Sequence, residues 1–452
     1  YLWGRVQNLM HLSFQSVPKF NMQKHLEFAQ IATLLASNDY PNLILFSEPT
    51  RIYKIDSIPF KDITNRIYLP DLDQVLDVAI ADFDGDKRMD IYVAKGTWLH
   101  SDIVRSGPSE IKGMLIWSGG GPPKSVSFKA EGSVHFQIYP TWLDLSRVHI
   151  GLKDRHPASR SFVLSPKDPD LYKFSDPESV ISDGVYITYD PGSKTWTIRN
   201  FNKSTFVDFI VKATKTISDF QPINFDLFKP QGKHALFLNK KNGFIEKLLL
   251  GEAGEDTSCK SVVTGDFDND MDLDLYMTCT GTILNLPNRL LENDGQGSFH
   301  VVPEAAGASG SRLGRGDVVA CADYDRDGFL DLFMTNGSDP TSPFVADGPH
   351  QLYRNKGNDN HWLEIDLEGT LTNRDGIGCI VYLEAGGKVQ VREQNGGMHR
   401  ITQNYQRIHF GLGSHQLVER LIVIWPSGII TELRDLEADQ IMNIKESRQE
   451  KK

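Results

Sequence analysis

The stretch that decides the fold is Asp323-Tyr-Asp325-Arg-Asp327-Gly-Phe-Leu-Asp331, which has carboxylates at positions 1, 3, 5 and 9. Residues 82–90 and 266–274 of the 452-residue chain repeat this spacing. A tight loop turns such side chains toward one point, and an all-oxygen ligand set favours Ca²⁺. Asp-Gly clusters also form ordinary surface turns, but three copies in one register favour metal sites.

Each loop offers five candidate ligands to a cation: the side chains at positions 1, 3, 5 and 9, and the backbone carbonyl at position 7. In the second loop, position 7 is itself an acid. The sequence therefore predicts about three Ca²⁺ sites. The candidate ligands are Asp82, Asp84, Asp86, Arg88 and Asp90 in the first loop, Asp266, Asp268, Asp270, Asp272 and Asp274 in the second, and Asp323, Asp325, Asp327, Phe329 and Asp331 in the third.

Short apolar runs flank all three loops, such as residues 75–81 before the first and 91–94 after it. They are rich in β-branched and aromatic residues and are bounded by turn residues, which favours strands over the helices of an EF-hand. A hairpin-like element follows each Asp loop, clearest at residues 288–299 and 351–357, and a loop-bearing strand pair together with such a hairpin makes one repeating unit. Weaker copies of that element occupy 185–196 and 235–244. Each unit is therefore expected to contain about four strands.

The second and third loops lie about 57 residues apart. Four-stranded units at such a spacing are typical of a β-propeller, whose closure hides the sheet edges. We predict an all-β fold in which residues 1–355 form a roughly seven-bladed propeller. Residues 130–180 contain many prolines and break the rhythm, so they form either an aberrant blade or an insertion. Residues 361–446 alternate apolar and polar residues and predict a small β-sandwich-like domain, the C-terminal module.

The loops resemble those of the FG-GAP/VCBS repeats, and the third matches the pattern Asp-x-Asp-x-Asp-Gly-x-x-Asp in full. Lys87 and Met271 stand where that family has Gly, at a turn position that favours a left-handed backbone. The C-terminal module resembles the ASPIC/UnbV domain in four pieces. These pieces are Trp362-Leu363, residues 369–378, His409-Phe-Gly-Leu-Gly413 and Trp425-Pro-Ser-Gly428. The combination of blades and module is similar to the cartilage acidic protein family.

Composition restricts the function classes. The formal net charge is −11, and much of it comes from the loop acids, so a nucleic-acid partner is not expected. No apolar stretch is long enough to span a membrane. Low-affinity Asp-rich calcium modules are common outside cells, which favours an extracellular, periplasmic or luminal location. For the four cysteines, we favour buried free thiols over disulfides.

Two short motifs carry little weight. Arg315-Gly-Asp317 matches an integrin-recognition tripeptide, but the family that the loops resemble often has glycines there for tight backbone packing before a blade strand. Asn202-Lys-Ser204 and Asn336-Gly-Ser338 are glycosylation sequons. No nucleophile elbow, phosphate loop or paired-histidine motif is present.

The leading hypothesis is a calcium-binding protein that acts in binding, adhesion or complex assembly, with structural Ca²⁺. Its partner would be a protein or a glycan, and the chain could be a subunit of a larger assembly. The alternative is an enzyme of lyase or alkylating type with an active site near the propeller channel. The link at 355–360 is short, and Trp362 and Trp425 need apolar partners. We therefore expect the C-terminal module to pack against the last blades, including residues 315–335.

Overall fold

The described part of the protein is all-β. In the computed structural model, the described residues form strands and a few short 3-10 segments, among them Leu145–Arg147, Pro169–Leu171 and Pro303–Gly307, and they include no α-helix. No helix in that part of the chain could cross a membrane. The described residues are 26–32, 42–47, 50–54, 60–67, 69–70, 72, 75–95, 103–104, 107–116, 123–139, 143–151, 155–171, 184–201, 206–224, 233–241, 243–249, 253, 259–279, 287–311, 318–337, 348–399 and 402–447.

The first sheet, blade 1, is an antiparallel meander, and the second sheet, blade 2, starts with the strands on either side of the first Asp loop. β-Branched and aromatic residues fill these strands, as their preference for a pleated, half-buried surface requires. Blade 1 contains β1 (Leu26–Ala32), β2 (Asn42–Ser47), β3 (Arg51–Lys54) and β4 (Lys61–Asp62). Blade 2 starts with β5 (Val75–Ala81) and β6 (Asp90–Lys95).

After the second strand of blade 2, the described residues between 103 and 224 form a separate two-sheet unit, the sandwich. Its sheets have the orders β12-β10-β15-β8-β7 and β11-β13-β14-β9-β16. Its strands are β7 (Ile103–Val104), β8 (Glu110–Ile116), β9 (Lys124–Lys129), β10 (Val134–Tyr139), β11 (Val148–Ile150), β12 (Ser161–Leu164), β13 (Val185–Asp190), β14 (Thr195–Asn200), β15 (Phe206–Ala213) and β16 (Ser218–Ile223).

One core holds both sheets of the sandwich together, and fully buried Phe128, Phe136, Trp196 and Phe209 lie at its centre. The sequence placed the interruption at residues 130–180, whereas these sheets extend it to 103–224. The hairpin at 185–196, expected to belong to a blade, lies in the sandwich because Trp196 fills its core rather than a blade.

The chain then returns to complete blade 2 and forms two more sheets. Strand β17 pairs with β6, so the strand order of blade 2 is β18-β17-β6-β5. The strands are β17 (Ala235–Lys240) and β18 (Gly243–Lys247) in blade 2; β19 (Ser261–Gly265), β20 (Asp274–Thr278), β21 (Arg289–Asn293) and β22 (Phe299–Val301) in blade 3; and β23 (Val318–Ala322), β24 (Asp331–Thr335) and β25 (Gln351–Tyr353) in blade 4.

The first strands of the four blades lie side by side, because β1 contacts β5, β5 contacts β19, and β19 contacts β23. This is the arrangement of inner strands in a propeller. Within the described residues, four sheets are of blade type. Residues 103–224, from which further blades were expected, form the sandwich instead. A closed seven-bladed ring stays a prediction.

The C-terminal module is a compact β unit of two main sheets, β31-β26-β34 and β28-β27-β32-β33, and one small hairpin. Its core surrounds the nearly fully buried Trp425. The strands are β26 (His361–Glu368), β27 (Ile380–Ala385), β28 (Lys388–Glu393), β29 (Met398–His399), β30 (Thr402–Gln403), β31 (Ile408–Gly413), β32 (Leu417–Ile424), β33 (Ile430–Glu437) and β34 (Gln440–Lys445).

The small hairpin of the C-terminal module inserts beside the inner strands, since β29 contacts β5 and β30 contacts β23. Asn404 Oδ1 accepts a hydrogen bond from the N–H group of Cys321 (3.0 Å), and the Tyr405 N–H group donates to the Cys321 carbonyl (3.4 Å). Asn358 and Asn360 in the short link donate to the Asp268 carbonyl. The expectation that the module packs against the last blades is confirmed.

A disulfide joins Cys259 to Cys279, while Cys321 and Cys379 are buried free thiols. The preference for free thiols is thus wrong for the first pair. The pairing follows from the loop between β19 and β20. Gly265 lies opposite Asp274 and Ser261 opposite Thr278, so the two cysteines fall almost opposite each other at the far end of the strand pair.

Glu446 anchors the end of the C-terminal module. Its carboxylate accepts hydrogen bonds from the N–H groups of Thr370, Leu371 and Thr372 (2.7–2.9 Å) and from the Ser427 hydroxyl (2.5 Å). Successive backbone N–H groups of this kind form an anion-binding concavity. Burial alone would raise the pKa of Glu446. The hydrogen bonds together have the larger effect and lower the pKa to about 2.

Thiol titration checks the disulfide. The denatured, unreduced protein should react with two equivalents of a thiol reagent, and the reduced protein with four, because only Cys321 and Cys379 are free. Four reactive thiols before reduction would contradict the pairing.

Glu446→Gln should destabilise the protein by about 2–3 kcal/mol at neutral pH, because the charged form accepts the stronger hydrogen bonds. The folded-state pKa lies below the unfolded value, so this stability is present above about pH 4.5 and is lost as the pH falls toward 2. Urea unfolding at pH 7 and pH 3 measures the difference, which should shrink at the lower pH. Glu437→Gln, at an exposed carboxylate, is the control, and an equal loss in both variants would contradict the role of Glu446.

Candidate metal centre

The structure brings carboxylates of each Asp loop together. Within each of three groups, one oxygen from each residue lies within 4.8 Å of the others. The groups are Asp82, Asp84 and Asp86 in the first loop; Asp266, Asp268 and Asp274 in the second; and Asp323, Asp325 and Asp331 in the third. The other predicted acids, Asp90, Asp270, Asp272 and Asp327, lie outside these tightest groups.

Position 1 organises the turn of each loop. The carboxylates of Asp82, Asp266 and Asp323 accept hydrogen bonds from the N–H groups at positions 5 and 6, at 2.8–3.1 Å. All three carboxylates are buried. These bonds curl the backbone around the carboxylate and direct the side chains at positions 3 and 5 toward it, as in other Asx-type turns.

Position 9 closes each loop against the third strand of its blade. Asp90, Asp274 and Asp331 each accept one bond from the N–H group at position 2 (2.9, 3.2 and 3.1 Å). The other oxygen accepts a bond from the N–H group of an asparagine on or just after the third strand (2.7, 3.0 and 2.7 Å). The position 9 acid therefore ties loop, second strand and third strand together.

Positions 5 and 7 complete the turn. The carboxylates of Asp86, Asp270 and Asp327 each accept a hydrogen bond from the position 7 N–H group, at 3.0–3.1 Å. The residues at position 7 differ in their side chains. Arg88 bonds Asp86, Asp272 forms an ion pair with Lys388 (2.5 Å), and Phe329 is buried.

Position 6 has the left-handed backbone that its place in the turn requires. The φ angles are 69° at Lys87, 82° at Met271 and 89° at Gly328. Glycine fits this conformation without strain, and a Cβ atom at Gly328 would also overlap the indole of Trp362. Met271 has a packing reason for its departure from glycine, because its side chain enters the core of the C-terminal module.

Cationic side chains lie against two of the three carboxylate groups. Lys240 bonds Asp84 and Asp86, and Arg354 bonds Asp325 and Asp327. In the second loop Lys388 contacts Asp272, which lies outside the group.

Asp84 Oδ1 in the first loop is buried without a hydrogen-bond partner. Such an unpaired buried oxygen is costly. The all-oxygen donor sets and this orphaned oxygen fit a hard cation.

Several buried acids of the first two loops have raised pKa values and so resist ionisation without a cation. Burial, with added repulsion from neighbouring carboxylates, raises the pKa of Asp90 and Asp266 to about 8 and that of Asp274 to about 9. Burial likewise raises the pKa of Asp82 and Asp270 to about 6. A bound divalent cation would oppose these shifts, since it stabilises the ionised form.

Repeated asparagines connect neighbouring blades, a role that sequence reasoning missed. Asn293 Nδ2 donates to the position 2 carbonyl of the preceding loop, Phe83 O (2.9 Å), and Asn355 Nδ2 donates to Phe267 O (2.7 Å). Both asparagines also bond the position 8 carbonyl of their own loop. The hairpin repeat in the sequence contained these asparagines, so their fixed distance from each Asp loop was the available signal.

The C-terminal module lies directly on the loops. His409 Nε2 bonds the Gly328 carbonyl (3.0 Å), and the Gly413 N–H group donates to the Asn269 carbonyl (2.7 Å). A Cβ atom at Gly411 would overlap the Asn269 backbone. The motif at residues 409–413 is therefore the edge that contacts the second and third loops, and His409 lines this interface as a buried residue.

Comparison with known proteins finds similarity in this part of the chain. Residues 369–451 match the family model "ASPIC and UnbV". Human cartilage acidic protein 1 is 27% identical over 175 residues, which are 37% of this chain and 25% of that protein. The Xenopus tropicalis protein of that name is 27% identical over 209 residues, 44% of this chain and 31% of that protein. The chain thus spans about a quarter to a third of the curated relatives it matches.

The short motifs have different outcomes. Residues 315–317 and Asn202 lie outside the described residues. Asn336 is buried, which disfavours glycosylation of its side chain. The matching family model covers residues 369–451, which lie outside the blades, so the FG-GAP/VCBS resemblance stays a prediction.

Asn293→Ala should destabilise the protein by about 2–3 kcal/mol, because it leaves two buried carbonyls and the Gly297 N–H group without their partner. Urea unfolding measures this loss. Asn358→Ala, at an exposed asparagine whose side chain donates one hydrogen bond and accepts another, should cost under about 1 kcal/mol because water can replace both partners. Equal effects of the two substitutions would contradict the inter-blade role.

Proposed function

We propose that this protein is a calcium-stabilised extracellular, periplasmic or luminal binding protein, with one structural Ca²⁺ in each Asp loop. The observation that carries the proposal is the convergence of three carboxylates in each of three loops with the same turn geometry. In such a site, Asp266, Asp268 and Asp274 would hold the ion of the second loop. Asp323, Asp325 and Asp331, at the same positions of the third loop, would hold a separate ion there. Asp82, Asp84 and Asp86 would hold the ion of the first loop.

The physical reason for a cation is electrostatic. The second loop holds five carboxylates, and Lys388 contacts only the one that lies outside the group of three. Buried like charges raise one another's pKa and destabilise the fold when they ionise. A divalent cation would offset that repulsion and fix the turn.

The proposed ions would also hold the C-terminal module in place. Met271, Gly328 and Asn269 belong to the loops and contact the module directly. A loop held by Ca²⁺ presents these groups in fixed positions, so the blades and the module would form one rigid binding surface. This favours a role in recognition or assembly.

The Cys259–Cys279 disulfide supports an oxidising compartment, because structural disulfides persist mainly in secreted, periplasmic or luminal proteins. The name of the similar protein, cartilage acidic protein 1, refers to an extracellular tissue, which agrees with this location.

One observation would support the enzyme hypothesis, namely a buried acid beside a cavity. Glu364 lines a cavity of about 160 Å³ between the inner strands and the module. Burial, with repulsion from Asp323, raises its pKa to about 7 despite the ion pair with Arg407 (3.1 Å). The cavity is smaller than the roughly 300–1,000 Å³ of most ligand pockets, so the binding function is favoured.

Calcium titration tests the proposal. The chelated protein should bind about three Ca²⁺ per chain. Its melting temperature should rise with Ca²⁺, since each site adds about 2.7 kcal/mol at a free concentration of about 100 times Kd. Asp268→Asn and Asp325→Asn should each remove one site, whereas Asp435→Asn, at an exposed acid of β33, should keep all of them. Equal melting curves with and without chelator would refute structural calcium.

A further inference from the structure

The exposed aromatic side chains are not scattered. Among the described residues, the three exposed aromatic side chains are Tyr324 (51% exposed), Phe333 (47%) and Tyr405 (59%). All three line one open cleft of about 860 Å³ between blade 4 and the C-terminal module. That volume lies in the range of ligand sites, and exposed aromatic surface in a concave site usually has a binding partner.

The corresponding positions in the other blades are covered. Tyr324 occupies position 2 of its loop, and Phe333 lies two residues after position 9. In blades 2 and 3 the residues at these places are Phe83 and Tyr92, and Phe267 and Tyr276, all buried. The following blade covers them: Phe83 packs edge-on against Phe299 of blade 3, at 5.7 Å between ring centroids. Blade 4 keeps the aromatic residues and leaves this face open to the cleft.

The C-terminal module supplies the opposite wall. Tyr405 is held in place by its own backbone bond to Cys321, and Asn404 bonds the same residue. The Arg407 guanidinium lies over the Tyr405 ring, 5.3 Å from its centroid. The cleft is therefore composite, and it exists only while the module is docked on blade 4.

Most charged groups of the cleft are paired, although its lining contains more acids than bases: Asp331, Asp366, Glu368 and Asp375 against Arg374 and Arg407. Asp366 is paired with Arg407, and Glu368 is paired with Lys445. Arg374 and Asp375 form no ion pair within the described residues, and they add one positive and one negative group. Side-chain amides from Gln403, Gln406 and Asn443 line the rest. The lining thus offers both hydrogen-bond donors and acceptors, and its small excess of acids disfavours anionic ligands.

We propose that this cleft binds a neutral oligosaccharide. Sugar rings present apolar C–H faces, which pack on aromatic rings, and hydroxyl groups, which pair with planar amide, carboxylate and guanidinium groups. An anionic ligand would meet Asp375 and the other acids, and a protein interface would favour a continuous apolar core over aromatic residues separated by amides. This inference rests on the proposed binding function and names its ligand class.

The test uses the full chain saturated with Ca²⁺ and a panel of neutral hexasaccharides: cello-, malto-, xylo-, manno- and chitohexaose. Isothermal titration calorimetry should detect binding of at least one of them. Tyr324→Ala and Tyr405→Ala should each weaken that binding about tenfold or more through loss of ring contact, while Tyr405→Phe should keep it within about twofold. Ile430→Ala, at an exposed apolar residue of β33 outside the cleft, should bind as the wild type does.

The inference is overturned if no saccharide of the panel binds, if the two Tyr→Ala variants bind as Ile430→Ala does, or if a heparin hexasaccharide binds more tightly than every neutral one. Self-association that Tyr405→Ala abolishes would assign the cleft to a second copy and would also overturn it. The calcium-dependent rise in melting temperature is measured in the same samples. If that rise persists without sugar binding, only the sugar site fails; if it is absent, the proposed function fails.

Discussion

The carboxylate at position 9 of each Asp loop is the group on which the rest of the structure depends. Asp274 accepts one hydrogen bond from the start of its own loop and another from Asn293 on the third strand. The Asn293 side chain reaches the preceding loop at Phe83, and Asn355 repeats the contact one blade further. A carboxylate can accept several bonds at once, so one acid fixes the loop, the sheet and, through the asparagine, the neighbouring blade. Because these acids are buried, the same arrangement concentrates carboxyl groups with raised pKa values at the place where the C-terminal module docks.

Much of this could be predicted from the sequence because it repeats locally. The Asp spacing gave the loops and their flanking strands, and the position 6 residues gave the left-handed turns. The alternation after His361 indicated the module, and the short link indicated its docking. The Asp loops form the predicted carboxylate groups at positions 1 and 3, while the roles of Asn293, Glu446 and Arg407 depend on contacts between residues far apart in the chain. No local pattern specifies such contacts.

The sandwich shows where periodicity misleads. Residues 185–196 have the strand-turn-strand pattern of a blade hairpin, but Trp196 packs on Phe136 in a core that no blade shares. A hairpin pattern fixes two strands and not the sheet that they join, since the pairing partner is decided by which apolar face can be buried. Cys259 and Cys279 are a different case, because their pairing could have been predicted. The strands predicted on either side of the second loop already imply a register that places the two cysteines almost opposite each other.

The insertion of the sandwich within blade 2 has a consequence for folding. Ile91 pairs with Phe237, and Asp90 accepts its hydrogen bond from Asn239, so the first Asp loop cannot be completed until the chain has passed well beyond residue 224. Closing so long a loop costs entropy while its residues are unfolded. A folded sandwich would remove most of that cost by holding its own ends in defined positions. The sandwich would then fold before blade 2, although blade 2 begins earlier in the sequence. Slow pairing of β6 with β17 would limit the rate at which the blades assemble.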